Sequence, residues 1–103
     1  MTTCKNTEGR KNDENKPDFS LLHPPAIIYL VKVLTFGAKK YGADNWKVVP
    51  NMKKRYFAAT QRHLWAWYGG ENTDDESGMP HLAHALASLF ILFSFCLLES
   101  EDK

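Results

Sequence analysis

The chain has 103 residues, of which 44% are hydrophobic and 24% are charged, and its formal net charge is +1. This length suits one small globular domain and excludes two, while the low net charge disfavours a protein that binds duplex DNA mainly through its phosphates. Its two cysteines are too few for a disulfide framework, and its first residues do not resemble a secretory signal. We therefore expect a soluble protein of the cytoplasm.

The charges are distributed unevenly along the chain. Residues 1–62 contain twelve Lys and Arg against five Asp and Glu, whereas residues 63–103 contain one Lys against seven acids. The net charge of +1 is therefore the sum of +7 over residues 1–62 and −6 over residues 63–103. A basic segment of this kind is typical of surfaces that bind phosphate-bearing partners, although any single lysine often serves only to solvate a helix.

The first 16 residues are rich in Asn, Lys, Glu and Thr and show no apolar periodicity. They predict a flexible arm ahead of a single domain at residues 17–103. A first helix is predicted over about residues 25–40, since Pro24 and Pro25 suit a first helical turn and apolar side chains then recur on one face. Gly42 suits the end of this helix because glycine readily adopts a left-handed conformation.

Two more helices are predicted, over about residues 52–68 and 80–99. The second helix follows Asn51, a favourable capping residue, and ends at a Gly-Gly pair. The third begins at a proline, which again suits a first helical turn. The sequence therefore predicts an all-α fold in which three main helices form a small bundle.

The third helix is apolar around its whole circumference, with Leu, Ile and Phe at most positions between residues 82 and 98. Two neighbouring helices cannot cover such a surface, so we expect the bundle to be completed by homo-oligomerisation through this helix. The alternative is a membrane span. It is disfavoured because His84, Ser88 and Ser94 interrupt the run, which is also shorter than the usual ~20 residues.

The first candidate site is the segment GAKKYGADNW at residues 37–46. Its lysines offer charges for a phosphate group, its aromatic rings can stack on a base, and its asparagine can hydrogen-bond with a base or a ribose. The segment lacks the Gly-rich run followed by Lys-Ser or Lys-Thr of a Walker phosphate loop. The alternative is a helix end with two exposed lysines and two aromatic anchors. The residues with this chemistry are Lys39, Lys40, Tyr41, Asn45 and Trp46.

The second candidate site lies on the second helix. His63 and Trp67 share helical spacing with Tyr56, so an imidazole and two aromatic rings stand on one face, where a base or a sugar could lie. Arg55 and Arg62 add positive charge to the same helix. The alternative is a core stripe in which the histidine is hydrogen-bonded within the protein.

The third candidate site is the segment DDESGMPHLAH at residues 74–84. His81 and His84 are three residues apart and lie on the same helical face, which is compatible with metal ligation or with phosphate contact near a helix N-terminus. Carboxylates just before this helix could hold Mg or Mn, or they could only interact favourably with the helix dipole. These carboxylates are Glu71, Asp74 and Glu76.

Three segments together form a recognisable pattern: KPDFSLLHPPAI at 16–27, VLTFGAKKYGADNW at 33–46 and RHLWAWYGGENTDDESGMPHLAHAL at 62–86. In these segments the chain resembles the phage and prophage family of dATP/dGTP diphosphohydrolase N-terminal domains, a relative of the all-α MazG-like nucleotide pyrophosphohydrolases. The resemblance covers about residues 16–98 and implies a small helical fold, a bacteriophage origin and a purine nucleotide ligand. Asp75 stands where we expect a proline, and Ser88 where the family often has asparagine.

The MazG-like relatives imply a metal mechanism that these residues do not reproduce. Such an enzyme holds magnesium with carboxylates on two facing helices, in the motifs EExxE and ExxD. This chain has neither motif, since no Asp or Glu lies between Lys47 and Gly70 or between Pro80 and Leu98. Only the acidic turn before the third helix could supply such ligands.

The first hypothesis is therefore a phage-type protein that binds a nucleotide without catalysis. It captures a purine nucleotide or a cyclic oligonucleotide in the cytoplasm of the infected bacterium, with a host immune signal as one candidate and an anti-defence role as the consequence. It needs no cofactor, and we expect no membrane and no specific DNA binding. The residues expected to contact the nucleotide are Lys39, Lys40, Tyr41, Asn45, Trp46, Arg55, Arg62, His63, Trp67, His81 and His84.

The second hypothesis is a metal-dependent dATP/dGTP diphosphohydrolase that releases a dNMP and pyrophosphate. Glu71, Asp74 and Glu76 would be its catalytic carboxylates. Together with His81 they would hold the Mg or Mn ion. Conversion of a nucleotide to its monophosphate would support this hypothesis, and recovery of the nucleotide intact would support the first.

Overall fold

The computed structural model describes residues 8–101. Within this range the chain forms three α-helices and two short 3-10 helices, and it contains no β-strand longer than an isolated bridge. The three main helices are α1 (Pro24–Tyr41), α2 (Met52–Tyr68) and α3 (His81–Glu101). The predicted all-α fold is confirmed, and each helix boundary lies within two residues of its predicted position.

The predicted N-terminal arm lies partly outside the described residues. Residues 8–16 are described, and they are exposed and form neither helix nor strand. A 3-10 helix at Phe19–Leu21 follows, in which the Asp18 carboxylate accepts hydrogen bonds from the backbone N–H of Ser20 at 3.0 Å and from its hydroxyl at 2.5 Å. The folded part therefore begins next to the first proline, where the sequence pattern placed it.

Helix α1 begins and ends at residues that restrict the backbone. Pro24 and Pro25 occupy its first turn, where a missing N–H costs no helical hydrogen bond. At the other end, Gly42 adopts φ 100° and its N–H donates to the Ala38 carbonyl at 2.8 Å. A side chain at this φ would be strained, so glycine determines where α1 ends.

Asn51 caps α2 in a different way from the predicted one. Its side chain makes no capping hydrogen bond, and its backbone is left-handed, with φ 55°. Asparagine tolerates this conformation better than most residues, and its carbonyl accepts the first helical hydrogen bond from Arg55 N–H at 3.0 Å. Asn51 therefore caps α2 through its backbone conformation and its carbonyl, and not through its side chain.

Helix α3 packs against both of the other helices. Its buried side chains are mostly small, which allows close approach to α1 and α2. Leu30 and Val33 of α1 meet Ala83 and Ala87 of α3 in the main apolar cluster. A salt bridge of 3.2 Å joins Lys53, at the start of α2, to Glu99 near the end of α3, so these two helices run antiparallel.

Large apolar side chains remain exposed on α3. Phe93 is 64% exposed and Leu89 is 56% exposed, and further leucines and Phe90 accompany them. The remainder of the described chain thus leaves α3 partly uncovered, as its composition predicts, and homo-oligomerisation stays a prediction. By length and composition alone, α3 also meets the requirements of a membrane-spanning helix, with a mean hydropathy of 2.0.

Candidate functional site

A cavity of about 570 Å³ lies between the C-terminal half of α1, the following loop, and the facing parts of α2 and α3. We call it the main cavity. Its size is in the range of small-molecule sites, and its lining includes apolar residues of α1 and α3. It collects side chains from all three predicted candidate sites. The predicted residues that line it are Lys40, Tyr41, Asn45, Trp46, Arg62, His63, Asp74, Glu76 and His84.

Several predicted contact residues do not line the main cavity. Lys39 lies on another face of α1 from Lys40, because consecutive residues of a helix point in directions about 100° apart. Trp67 is one turn beyond His63, past the end of the cavity, where its ring lies 6.3 Å from that of Tyr68. Arg55 lines a neighbouring cavity of about 600 Å³ that shares four residues with the main one.

Lys40 and Glu76 meet at the mouth of the main cavity and form a salt bridge. Hydrogen bonds to Glu76 and to Tyr41 raise the pKa of Lys40, so the ammonium group remains charged at neutral pH. Its Nζ also lies 5.2 Å from the centre of the Tyr41 ring, within the range of a cation–π contact. Both members of the pair are exposed, and such an ion pair exchanges readily with solvent or with a ligand.

Aromatic rings form a second side of the main cavity. Tyr41 and Trp46 come from the segment after α1, and Tyr56 comes from the first turns of α2. Burial raises the pKa of Tyr56, which keeps its hydroxyl protonated. The sequence predicts Tyr56 on the same helical stripe as His63, but Tyr56 is not among the predicted contact residues. Its spacing of seven residues from His63 was the signal that it shares the same face.

Asp74, one of the acids between α2 and α3, caps a turn. The Asp74 carboxylate accepts hydrogen bonds through Oδ2 from the backbone N–H groups of Glu76 at 3.1 Å and Ser77 at 3.0 Å. Burial opposes ionisation, but the Ser77 N–H and the nearby histidines outweigh it and lower the pKa of Asp74. No acid lies within the first turn of α3 itself, and the acids precede this helix in the turn.

Three histidines lie side by side next to this turn. The Nδ1 atoms of His63 on α2 and His81 on α3 are 2.9 Å apart, and the ring of His63 stacks on that of His84 with centres 4.6 Å apart. His81 Nε2 is 2.6 Å from a Glu71 carboxylate oxygen. His84 Nε2 is 2.6 Å from Ser77 Oγ. His81 is buried behind His63, and so it does not reach the main cavity.

The imidazoles that face the main cavity are neutral at physiological pH. Burial lowers the pKa of His63, and the neighbouring His84 and His81 lower it further. Burial likewise lowers the pKa of His84, although Asp74 opposes this effect. A neutral imidazole carries a lone pair, so these rings can accept a hydrogen bond or a proton, or ligate a metal ion.

The donor atoms that could hold a metal ion differ from the predicted set. His63, Asp74 and His81 each place a ligand atom within 4.8 Å of the others. Of the other carboxylates in the predicted set, Glu76 pairs with Lys40, and Glu71 binds the outer nitrogen of His81. The pairing of His81 with His63 depends on how α2 packs against α3, which spacing within one helix does not reveal.

Comparison with known proteins places the chain in a family. The sequence matches the family described as "dATP/dGTP diphosphohydrolase, N-terminal" over residues 6–103. The chain belongs to this family. It is also 34% identical over 85 residues to a dATP/dGTP diphosphohydrolase of Salmonella phage PMBT28. That alignment covers 82% of this chain and 29% of the relative, so the chain spans less than a third of the relative's length. No solved structure matches the chain.

Proposed function

We propose that the main cavity binds a purine nucleotide. This proposal rests on one observation. Two cationic side chains, two exposed or half-buried aromatic rings and one amide all line the same cavity. These are Lys40, Arg62, Tyr41, Trp46 and Asn45. Cations recognise phosphates and rings stack on bases, so the set covers both ends of a nucleotide. The names of the family and of the phage relative support a purine as the base.

The salt bridge between Lys40 and Glu76 allows a phosphate group to replace Glu76 as the partner of Lys40. Both side chains of this pair are exposed to solvent, so a phosphate group can displace the Glu76 carboxylate at little cost. Arg62, on the opposite helix, can then contact the same phosphate or its neighbour through a bidentate hydrogen bond. The base is left to stack on Trp46 or Tyr41.

The distribution of acidic residues favours nucleotide binding without hydrolysis. The described parts of α2 and α3 carry no Asp or Glu before Glu99, so they lack the facing carboxylates of a MazG-like centre. The protein then acts by capturing its ligand, a purine nucleotide or a cyclic oligonucleotide. In a phage protein, capture of a host immune nucleotide in the cytoplasm of the infected cell would oppose defence. We propose a homo-oligomer through α3 as the state in which it acts.

Calorimetric titration of matched variants tests the proposal. The ligands are dATP, dGTP, their monophosphates, cyclic di- and trinucleotides and ADP-ribose. Trp46→Ala should weaken binding by roughly tenfold or more, since base stacking on an aromatic ring contributes ~1–3 kcal/mol. Lys40→Ala should weaken binding of phosphorylated ligands most.

Two neighbouring residues provide the controls. Lys39→Ala removes an equivalent charge outside the cavity, and Trp65→Ala removes an exposed indole from α2. Both variants should bind as the unchanged protein does. Equal losses in Lys39→Ala and Lys40→Ala would mean that only general charge matters, and unchanged affinity in Trp46→Ala would place the base elsewhere.

A dATP/dGTP diphosphohydrolase is the second candidate function. Asp74 and Glu76 both line the main cavity, where they could hold an Mg or Mn ion against the phosphates, and the phage relative bears this activity in its name. Incubation with Mg or Mn should then yield a dNMP and pyrophosphate, and Asp74→Asn should abolish the reaction. Recovery of the nucleotide intact after denaturation of the complex would exclude this candidate.

A further inference from the structure

We propose that His63, His81 and Asp74 form a binding site for one divalent first-row transition-metal ion. The site joins α2, α3 and the turn between them, and two of its members also line the main cavity. It goes beyond nucleotide binding and does not depend on it, because the ion is held by protein atoms alone.

The two imidazoles are already placed as neighbouring ligands. Their Nδ1 atoms are 2.9 Å apart. With metal–nitrogen bonds of about 2.1 Å, two atoms at this separation subtend about 90°, the angle between adjacent ligands of an octahedral ion. A carboxylate oxygen of Asp74 lies within 4.8 Å of both nitrogens, so a movement of about 1–2 Å would complete a three-ligand face.

Glu71 orients His81 for this role. Its carboxylate accepts the Nε2–H of His81 at 2.6 Å, which leaves the lone pair on Nδ1. In the metal-free protein this lone pair accepts the Nδ1–H of His63, so metal binding requires that proton to leave Nδ1 and move through solvent to Nε2 of His63. A carboxylate on the outer nitrogen of a histidine is the usual support of a metal-bound imidazole, since it fixes the tautomer and raises the basicity of the ligand. His81 is only 5% exposed, so this arrangement is held inside the protein.

The donor set selects the class of ion. Two imidazoles and one carboxylate suit Zn²⁺, Co²⁺, Ni²⁺, Fe²⁺ or Mn²⁺, whereas Mg²⁺ prefers oxygen ligands in a near-ideal octahedron. The other acids of the turn do not convert the site into an oxygen cage, because neither Asp75 nor Glu76 belongs to the group whose donor atoms lie within 4.8 Å of one another. We therefore expect strong preference for a transition metal over magnesium.

The test is metal titration of the chelator-treated, nucleotide-free chain of 103 residues. ZnCl₂ and CoCl₂ should each bind at one ion per chain in calorimetry, and Co²⁺ should develop ligand-field absorption bands. MgCl₂ should bind at least 100-fold more weakly. Zn²⁺ should also raise the thermal unfolding midpoint, because an ion that binds only the folded state stabilises it.

Variants distinguish this site from other ligands on the chain. His81→Ala and Asp74→Asn should each lower Zn²⁺ affinity by at least tenfold. Glu71→Gln, which alters a positioning residue, should lower it about 10–100-fold. The controls are His23→Ala, Asp75→Asn and Cys96→Ser, which change an exposed histidine, an exposed acid and the exposed thiol. They should bind Zn²⁺ as the unchanged protein does.

Three results would overturn the proposal. They are the absence of saturable Zn²⁺ and Co²⁺ binding, equal affinity for Mg²⁺ and Zn²⁺, and unchanged Zn²⁺ affinity in Asp74→Asn. If His81→Ala fails to fold, the nearly isosteric Asp74→Asn variant and the comparison of ions on the unchanged protein still decide the question. No nucleotide is present, so failure here leaves the proposed nucleotide site to be judged by its own titration.

Discussion

Ser77 shows how a single side chain connects the acidic turn to α3. Its Oγ accepts the backbone N–H of Met79 at 3.1 Å, so its hydroxyl proton is available to donate to His84 Nε2 at 2.6 Å. This bond requires a lone pair on Nε2 and therefore favours the neutral imidazole. It acts in the same direction as burial, which lowers the pKa of His84.

The titration of the histidines makes stability depend on pH. His63 and His84 both have a pKa below the usual 6.5 in the folded protein, so the unfolded chain binds more protons just below that pH. Their contribution is fully present above pH 6.5 and is lost as the pH falls toward their folded pKa values. The chelator-treated protein should therefore show a lower urea midpoint at about pH 5.5 than at about pH 7.5.

Replacement of one histidine checks this expectation. His84→Gln removes one of the two titrating groups, so the difference between the two midpoints should decrease. His23→Gln changes an exposed histidine at the start of α1 and should leave the difference unchanged. Stability that increases on acidification over this range would contradict the assignment of neutral rings. Asp74 does not interfere, because its pKa is lowered from 3.8 and lies below the range.

At the scale of the element, two glycines of α1 have opposite roles. Gly37 lies inside the helix, and Gly42 ends it with φ 100°. A Cβ added at either position would meet no atom within 4 Å, so backbone conformation alone decides the effect of a substitution. The two positions therefore form a matched pair.

Alanine at these positions should change stability in opposite directions. Gly37→Ala should stabilise the protein by ~0.5–1 kcal/mol, because glycine inside a helix costs backbone entropy. Gly42→Ala should destabilise it by about 1 kcal/mol or more, because alanine is strained at a positive φ. Urea denaturation of the three proteins measures both changes. A destabilised Gly37→Ala variant would mean that the wall of the main cavity needs its flexibility.

At the scale of the whole molecule, the central question is what covers α3. Its exposed leucine and phenylalanine side chains extend along most of the helix, from Leu82 to Leu98. A chain of this length buries too little surface to leave so many apolar side chains in water at no cost. A second copy of α3 offers a surface of the same character.

Light scattering coupled to size exclusion should therefore find more than one chain per particle at micromolar concentration. Phe93→Asp should reduce the particle to smaller species, because a phenylalanine buried between copies contributes ~1.5–3 kcal/mol and a buried unpaired carboxylate opposes association. Tyr68→Asp changes an 87% exposed aromatic residue of α2 and should leave the assembly intact. A monomeric unchanged protein would contradict the prediction, and extraction only by detergent would instead identify α3 as a membrane span.

Much of the fold was predictable from local patterns. Proline and glycine restrict the backbone wherever they occur, so the limits of α1 and the end of α2 could be placed from the chain itself. The candidate site was only partly predictable. Lys40 and Lys39 are chemically equivalent in the sequence, and the orientation of α1 decides that Lys40 faces the main cavity.

The helices, the apolar character of α3, the family and the residue types of the proposed nucleotide site could all be inferred from the amino-acid sequence. The tertiary structure decided which of those residues meet. His63 reaches His81, and Glu71 orients it, only because α2 and α3 cross next to the acidic turn. The physical reason is that helical spacing determines neighbours within one helix, whereas contacts between helices depend on packing angle and register, which side chains from the whole chain determine together.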